Sequence, residues 1–142
     1  MKYSEVKNIR TFCGGLHSQP SWREVIEHAG EDDFYVGNVR FIAADSIDEI
    51  QADEMESDSY ILGGFNAYAI ADATGWPAVL IEAAQKGGAY EEIGEAMERE
   101  QIEALQQIYS NADGYGHHFN RYDFSKEEIT IGNCDYFVFD CH

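Results

Sequence analysis

The chain has 142 residues, 44% hydrophobic and 13% aromatic, which is enough to bury a core and too apolar for a disordered segment. No stretch approaches the roughly 18 consecutive apolar residues of a membrane span. Its 27 carboxylates face nine Lys and Arg, and the resulting formal charge of −18 disfavours nucleic acid, anionic membrane and phosphorylated ligands as partners.

In chain order, Tyr3, Val6 and Ile9 stand at helical spacing and predict a first helix over residues 3–12, broken by Cys13, Gly14 and Gly15. Ser21 with Glu24 three residues on forms a capping box behind Pro20. Trp22, Val25, Ile26 and Ala29 then share one helical face, and Gly30 stops the helix. After the acidic turn Glu31, Asp32, Asp33, a strand is expected over 35–43, with Val39 and Phe41 on one face and Arg40 and Ile42 on the other.

Ser46 with Glu49 repeats the capping box and opens a short helix carrying Ile47 and Ile50. Ser57 or Asp58 caps a helix over 60–73 with Ile61, Leu62, Phe65, Tyr68 and Ala69 on its apolar face, ended by Gly75. Pro77 suits the first turn of a helix over 76–86. Its run Ala78, Val79, Leu80, Ile81 is the most apolar in the chain and marks it as the core helix, closed by Gly87 and Gly88. A long helix follows over 90–109, with Ile93, Met97, Ala104, Leu105 and Ile108 inward. Residues 111–118 read as a Gly-containing loop. Ile129 and Ile131 lead into Gly132 and Asn133, a two-residue hairpin turn, and 136–139 form a last strand apolar on both faces, hence central. The order predicts a single α+β domain over 1–142: several helices on a small, mainly antiparallel sheet with a C-terminal hairpin.

The carboxylates are not evenly spread. No Lys or Arg occurs between Arg40 and Lys86, while Asp45, Asp48, Glu49, Asp53, Glu54, Glu56 and Asp58 crowd one segment. Glu91, Glu95 and Glu98 stand at i, i+4 and i+7 of the long helix, a stripe with neighbours about 5–6 Å apart. DNA carries a charge every ~3.4 Å along each strand, so such a surface imitates a phosphate track. A merely solvated or halophile-like acidic face is the plain alternative. Neither acidic segment has the Asp-x-Asp-x-Asp-Gly run of a calcium loop. Cys13 and His17 are four apart, His117 and His118 adjacent, and Cys134, Cys141 and His142 close together, without the paired spacing of a zinc site. No metal or cofactor is therefore expected.

A catalytic arrangement is available only formally, from Cys13 with His117 or His118 and Asp113 or Asp123 as orienter. The stretch 113–122 is also the richest in polar and aromatic residues, and Tyr115 and Arg121 there are favoured interface anchors. No Gly-x-Ser-x-Gly, phosphate loop or dinucleotide fingerprint is present.

In its size, the base-free acidic run 41–85 and the acidic helix 90–109, the chain resembles the small acidic proteins that phages and plasmids direct against host defence. The order of acidic helix, Tyr/Gly-containing segment and a strand with Tyr136, Phe137, Val138 and Phe139 is loosely similar to ArdA-type antirestriction proteins over about the second half. The resemblance implies a non-enzymatic DNA mimic of the anti-CRISPR or antirestriction class, whose partner is the basic surface of a nucleic-acid-binding protein. An immunity or antitoxin-like protein capping a basic nuclease fits the same charge, a small enzyme using His117 and His118 is a third reading, and a homodimer is left open. Three cysteines, an odd number without framework spacing, and the absence of an apolar run near Met1 point to reduced thiols in the cytoplasm.

Overall fold

A computed structural model describes all 142 residues. Nine helices and four strands follow in the order α1 (Tyr3–Gly15), α2 (Trp22–His28), β1 (Asp33–Val36), β2 (Val39–Ala43), α3 (Ile47–Glu56), α4 (Ser59–Gly63), α5 (Ala67–Thr74), α6 (Ala78–Lys86), α7 (Tyr90–Ala96), α8 (Arg99–Asp113), α9 (Tyr115–Phe119), β3 (Glu127–Ile131) and β4 (Cys134–Asp140). The class is α+β, with one antiparallel sheet of order β1-β2-β4-β3 and a C-terminal hairpin. No helix is long and apolar enough to cross a membrane. The contacts gather into two compact units, Met1–Ile47 with Tyr115–His142, and Asp48–Gly114.

The first unit holds the sheet. The single strand expected over 35–43 is instead a hairpin, with Val36 paired to Val39 across Gly37 and Asn38. Gly37 takes φ +60°, and Gly132 takes φ +63° in the matching loop between Ile131 and Cys134. A positive φ at the first loop residue is what a primed two-residue turn needs, and Gly adopts it without a steric penalty. Of these two Gly-Asn turns, the one at Gly132 and Asn133 stands where the sequence predicts it, and the one at Gly37 and Asn38 divides what the sequence predicts as a single strand.

The strands β2 and β4 lie in the middle, and all five residues of β2 are buried. Phe34, Phe41, Tyr136 and Val138 share a face that packs with Ile9, Cys13 and Leu16 of the α1 region and Val25 of α2. Phe34 stacks on Phe41 at 4.8 Å, and Tyr136 meets Phe34 edge-on. Arg40 and Ile42 do share the opposite face, paired with Phe139 and Phe137. There α9 supplies the cover, with Phe119 against Phe139 at 5.2 Å and Tyr115 against Phe137 at 5.3 Å.

Arg40 on that face is nearly buried, so its charge needs compensation. Asp33 provides it by accepting from Nε at 2.8 Å and Nη2 at 2.7 Å, while the guanidinium lies over the rings of Tyr35 and Phe119. Helix α1 continues through Cys13 to Gly15, because burial of Cys13 beneath the sheet outweighs the poor helix propensity of the two glycines.

The second unit is all helical. Its core is Met55, Leu62, Ile70, Ile81, Ile93, Met97, Ile102 and Leu105. Asp58 caps α4 by accepting from the Ile61 amide at 3.1 Å, as expected. The helix expected over 60–73 is two, since Asn66 accepts from the Tyr68 amide at 2.8 Å and starts α5 afresh. The carbonyls freed at that break are satisfied by one side chain of α6: Gln85 Nε2 donates to Gly63 O at 3.0 Å and Phe65 O at 2.8 Å. The apolar run of α6, expected to lie in the core, is divided between core and surface. In α6 only Ile81 is fully buried, and Val79 and Leu80 are 72% and 62% exposed.

Candidate functional site

The helical unit carries most of the charge. Residues 48–114 hold fifteen of the 27 carboxylates but only Lys86 and Arg99 of the nine bases, a formal −13, leaving −5 for the sheet unit. The carboxylates predicted to bind a partner therefore fall mainly in one compact body, though not as the continuous track expected. Helix α3 presents Asp48 and Glu49 in its first turn and Asp53, Glu54 and Glu56 further on. Asp45 lies ahead of it, exposed, in the sheet unit.

The long acidic helix over 90–109 does not exist as one piece. Met97 takes an extended conformation with ψ 131°, and Glu98 (ψ 160°) becomes the N-cap of α8. The Glu98 side chain accepts from the Gln101 amide, and Gln101 Oε1 accepts from the Glu98 amide at 2.9 Å, a reciprocal capping box. The stripe of Glu91, Glu95 and Glu98 is thereby interrupted: Glu91 and Glu95 stay exposed on α7, while Glu98 is occupied in holding a helix end. Asp58 is likewise a cap, of α4.

Arg99 is the organising cation. From the first turn of α8 it reaches Asp53 at 2.8 Å and Glu56 on α3, and Glu103 one turn along its own helix at 3.2 Å. Its guanidinium is held charged above its ordinary range, by Glu56 first, with Asp53 and Glu103 adding to it. One cation bridging three carboxylates joins α3 to α8 and offsets like-charge repulsion that would otherwise separate them. The pairing with Glu103 was legible as an i, i+4 spacing. The pairings with Asp53 and Glu56, more than forty residues away in sequence, were not.

Beside this hub runs a shallow groove of about 510 Å³ lined by Asp48, Glu49, Arg99, Glu103, Gln106 and Gln107. Its floor is a chain of amides. Gln106 Nε2 donates to Asp48 Oδ1 and to Gln51 Oε1, both at 2.9 Å, and Gln107 Nε2 donates to Gln106 Oε1. Gln51 and Gln106 are essentially fully buried; the bonds replace the solvation that the Gln106 amide and Gln51 Oε1 give up, while Gln51 Nε2 is left without a partner. Neither glutamine was singled out from the sequence, where a polar residue on an acidic helix gives no sign of being inward.

Tyr115 and Arg121 belong to the sheet unit. The loop expected over 111–118 is helix on both sides of Gly114, since α8 runs to Asp113 and α9 begins at Tyr115. Gly116 is the reason α9 fits: a β-carbon there would lie 2.1 Å from the Phe124 carbonyl oxygen. Tyr115 is half-buried on Phe137 with Lys126 over its ring, a packing position, and Arg121 is exposed in the turn that follows α9.

The groups of the formal catalytic arrangement meet different surroundings. Cys13 is 1% exposed in the core, and burial pushes its thiol up to about 11, the direction opposite to an activated thiolate. His117 stacks on Phe124 and His118 lies edge-on to Phe119. Asp123, held below the usual carboxylate range by the Ser125 amide and hydroxyl, also accepts from Asn120 Nδ2 at 2.8 Å and shapes the turn before β3. Cys141, raised by burial and then by Asp140, donates weakly to the Phe119 carbonyl. Comparison of the chain with protein-family models, with curated proteins and with solved structures finds no match.

Proposed function

We propose that this protein acts by binding rather than catalysis, as an acidic inhibitor that occupies the phosphate-binding surface of a nucleic-acid-binding protein of host defence, in the manner of an anti-CRISPR or antirestriction DNA mimic. The observation that carries the reading is the segregation of charge: a compact helical body of 67 residues with a formal −13, its two bases included. Exposed like charges at this density destabilise a fold through self-repulsion and exceed the roughly 2–8 charges that keep a small domain soluble. A partner lined with Lys and Arg turns that repulsion into attraction and fast, steered association. The broken track on α7 and α8 favours a mimic of scattered phosphate contacts over one of a regular duplex strand.

The test is capture of the partner from cells followed by titration with duplex DNA across a salt series. Displacement by DNA and an affinity that falls steeply with salt are expected, since each ion pair formed in place of a phosphate contact is screened. An affinity indifferent to salt, or a ternary complex with DNA still bound, refutes the mimic.

A further inference from the structure

The helical unit carries an apolar face that its own fold does not use. On α6, Val79 and Leu80 are 72% and 62% exposed, and Ala83, one turn on from both, is exposed as well. Ile81, with Ala84, points the other way into the core, and Gln85 is engaged at the end of α4, so the orientation of the helix is fixed. Three exposed apolar side chains at i, i+1 and i+4 form one continuous outward surface. A single exposed Leu needs no explanation, but a contiguous apolar face on a strongly charged body marks an interaction site. Half-buried Trp76 sits one turn before this face and Glu82 stands at i+3 from Val79 on its flank.

Charge selects the occupant. A second copy of the chain would bring one −13 body against another, whereas a cationic segment is drawn to that body as a whole, on α6 itself the charges being half-buried Glu82 and exposed Lys86. A nine-residue helix is about 13 Å long, the right size to seat one amphipathic helix through two or three apolar anchors. We infer that the outward face of α6, Val79, Leu80 and Ala83, is the docking site for a basic amphipathic helix of the partner, with its Lys and Arg directed to carboxylates of the same unit such as Glu82. The inference rests on the partner being basic, as proposed above, and adds that recognition is apolar at its centre and ionic around it. That division is common at protein interfaces, where the buried middle is depleted of charge.

The experiment uses the intact protein and two fluorescent probes: a synthetic leucine–lysine amphipathic helix and an unstructured oligolysine of equal charge. Anisotropy at low salt is expected to show the amphipathic probe binding at least about tenfold more tightly, and Val79→Ser with Leu80→Ser bringing it down to the oligolysine level. Both substituted side chains are exposed, so circular dichroism should stay native; Leu80→Gln alone, a milder change, should give part of the same loss. Preference retained in both variants overturns the docking site. Equal binding of the two probes to the unsubstituted protein also overturns it while leaving the acidic-binder reading intact. Absence of binding by either probe overturns both. Sedimentation showing a dimer that Val79→Ser with Leu80→Ser dissociates overturns the assignment in favour of a second copy.

Discussion

Gly94 of α7 lies so close to Ser59 of α4 that a β-carbon on it would stand 2.0 Å from the Ser59 carbonyl oxygen. The relationship is nearly reciprocal, since a β-carbon on Gly63 of α4 would stand 1.8 Å from the Tyr90 carbonyl oxygen at the start of α7. Two short helices, of five and seven residues, are thereby pressed backbone to backbone, and neither is long enough to be stable alone in water. Gly94→Ala is expected to destabilise the protein by about 2–3 kcal/mol, because backbone rather than a flexible side chain must move aside. Urea denaturation followed by circular dichroism measures it; a loss smaller than that of an Ala substitution at exposed Gly87 would contradict the packing.

Arg99 concentrates three ion pairs in one side chain that is one-third exposed. Arg99→Ala should cost about 1 kcal/mol, the scale of a partly screened surface network. The loss should grow at low salt, where Asp53, Glu56 and Glu103 repel one another unshielded. Arg99→Lys should recover only part of it, since an ammonium lacks the planar fork that serves several carboxylates together. Melting curves at two ionic strengths decide between this and a neutral role.

The exposed carboxylates that no cap or ion pair uses are the ones to neutralise. Glu91→Gln, Glu92→Gln, Glu95→Gln and Glu100→Gln combined should raise the melting temperature at low salt and lose that advantage at high salt. Partner affinity should weaken in the same variant. Asp53, Glu56, Asp58 and Glu98 are poor choices for this purpose, because their substitution also removes a cap or a bond to Arg99.

Alkaline pH should destabilise the sheet unit. Burial raises Cys13 from 9.0 to about 11 and Tyr136 from 10.0 to about 12. The Tyr136 hydroxyl donates to the Glu31 carbonyl at 2.8 Å and accepts from the Gly30 amide, so its proton is part of the packing. For both groups the unfolded chain gives up its proton first as pH rises. The folded state then binds more protons than the unfolded one, and stability falls with pH from about 9 towards about 12. Cys13→Ala should cost stability at neutral pH and flatten the first part of that decline. In native protein at pH 8, a thiol reagent should leave Cys13 unmodified until unfolding.

Tyr115→Ala should behave as a packing substitution. The ring lies on Phe137 and under Lys126, covering one face of the sheet. A loss of about 1–3 kcal/mol is expected for a half-buried aromatic, whereas Arg121→Ala, exposed, should leave stability unchanged. Equal stability of the two variants would return Tyr115 to the surface role its sequence context suggested.

The sequence by itself determined what local chemistry governs. The Ser21 and Asp58 caps, the Gly132 turn, the central place of β4 and the α+β class all follow from a few neighbouring residues, whose hydrogen bonds and backbone preferences need no distant partner. The concentration of carboxylates was equally visible, because charge is additive along the chain. Tertiary structure alone decided where periodic segments break and which of their faces turns inward. Helical spacing ran unbroken through Gly64 and Met97, yet Gln85 satisfies the carbonyls at one break, and the capping box of Glu98 and Gln101 makes the other worth more than continuation. Val79 and Leu80 were as apolar as Ile81, but only one face of α6 could meet the core. Arg99 was a lone base until folding brought Asp53 and Glu56 beside it, since an ion pair depends on distance through space and leaves no mark on spacing in the chain.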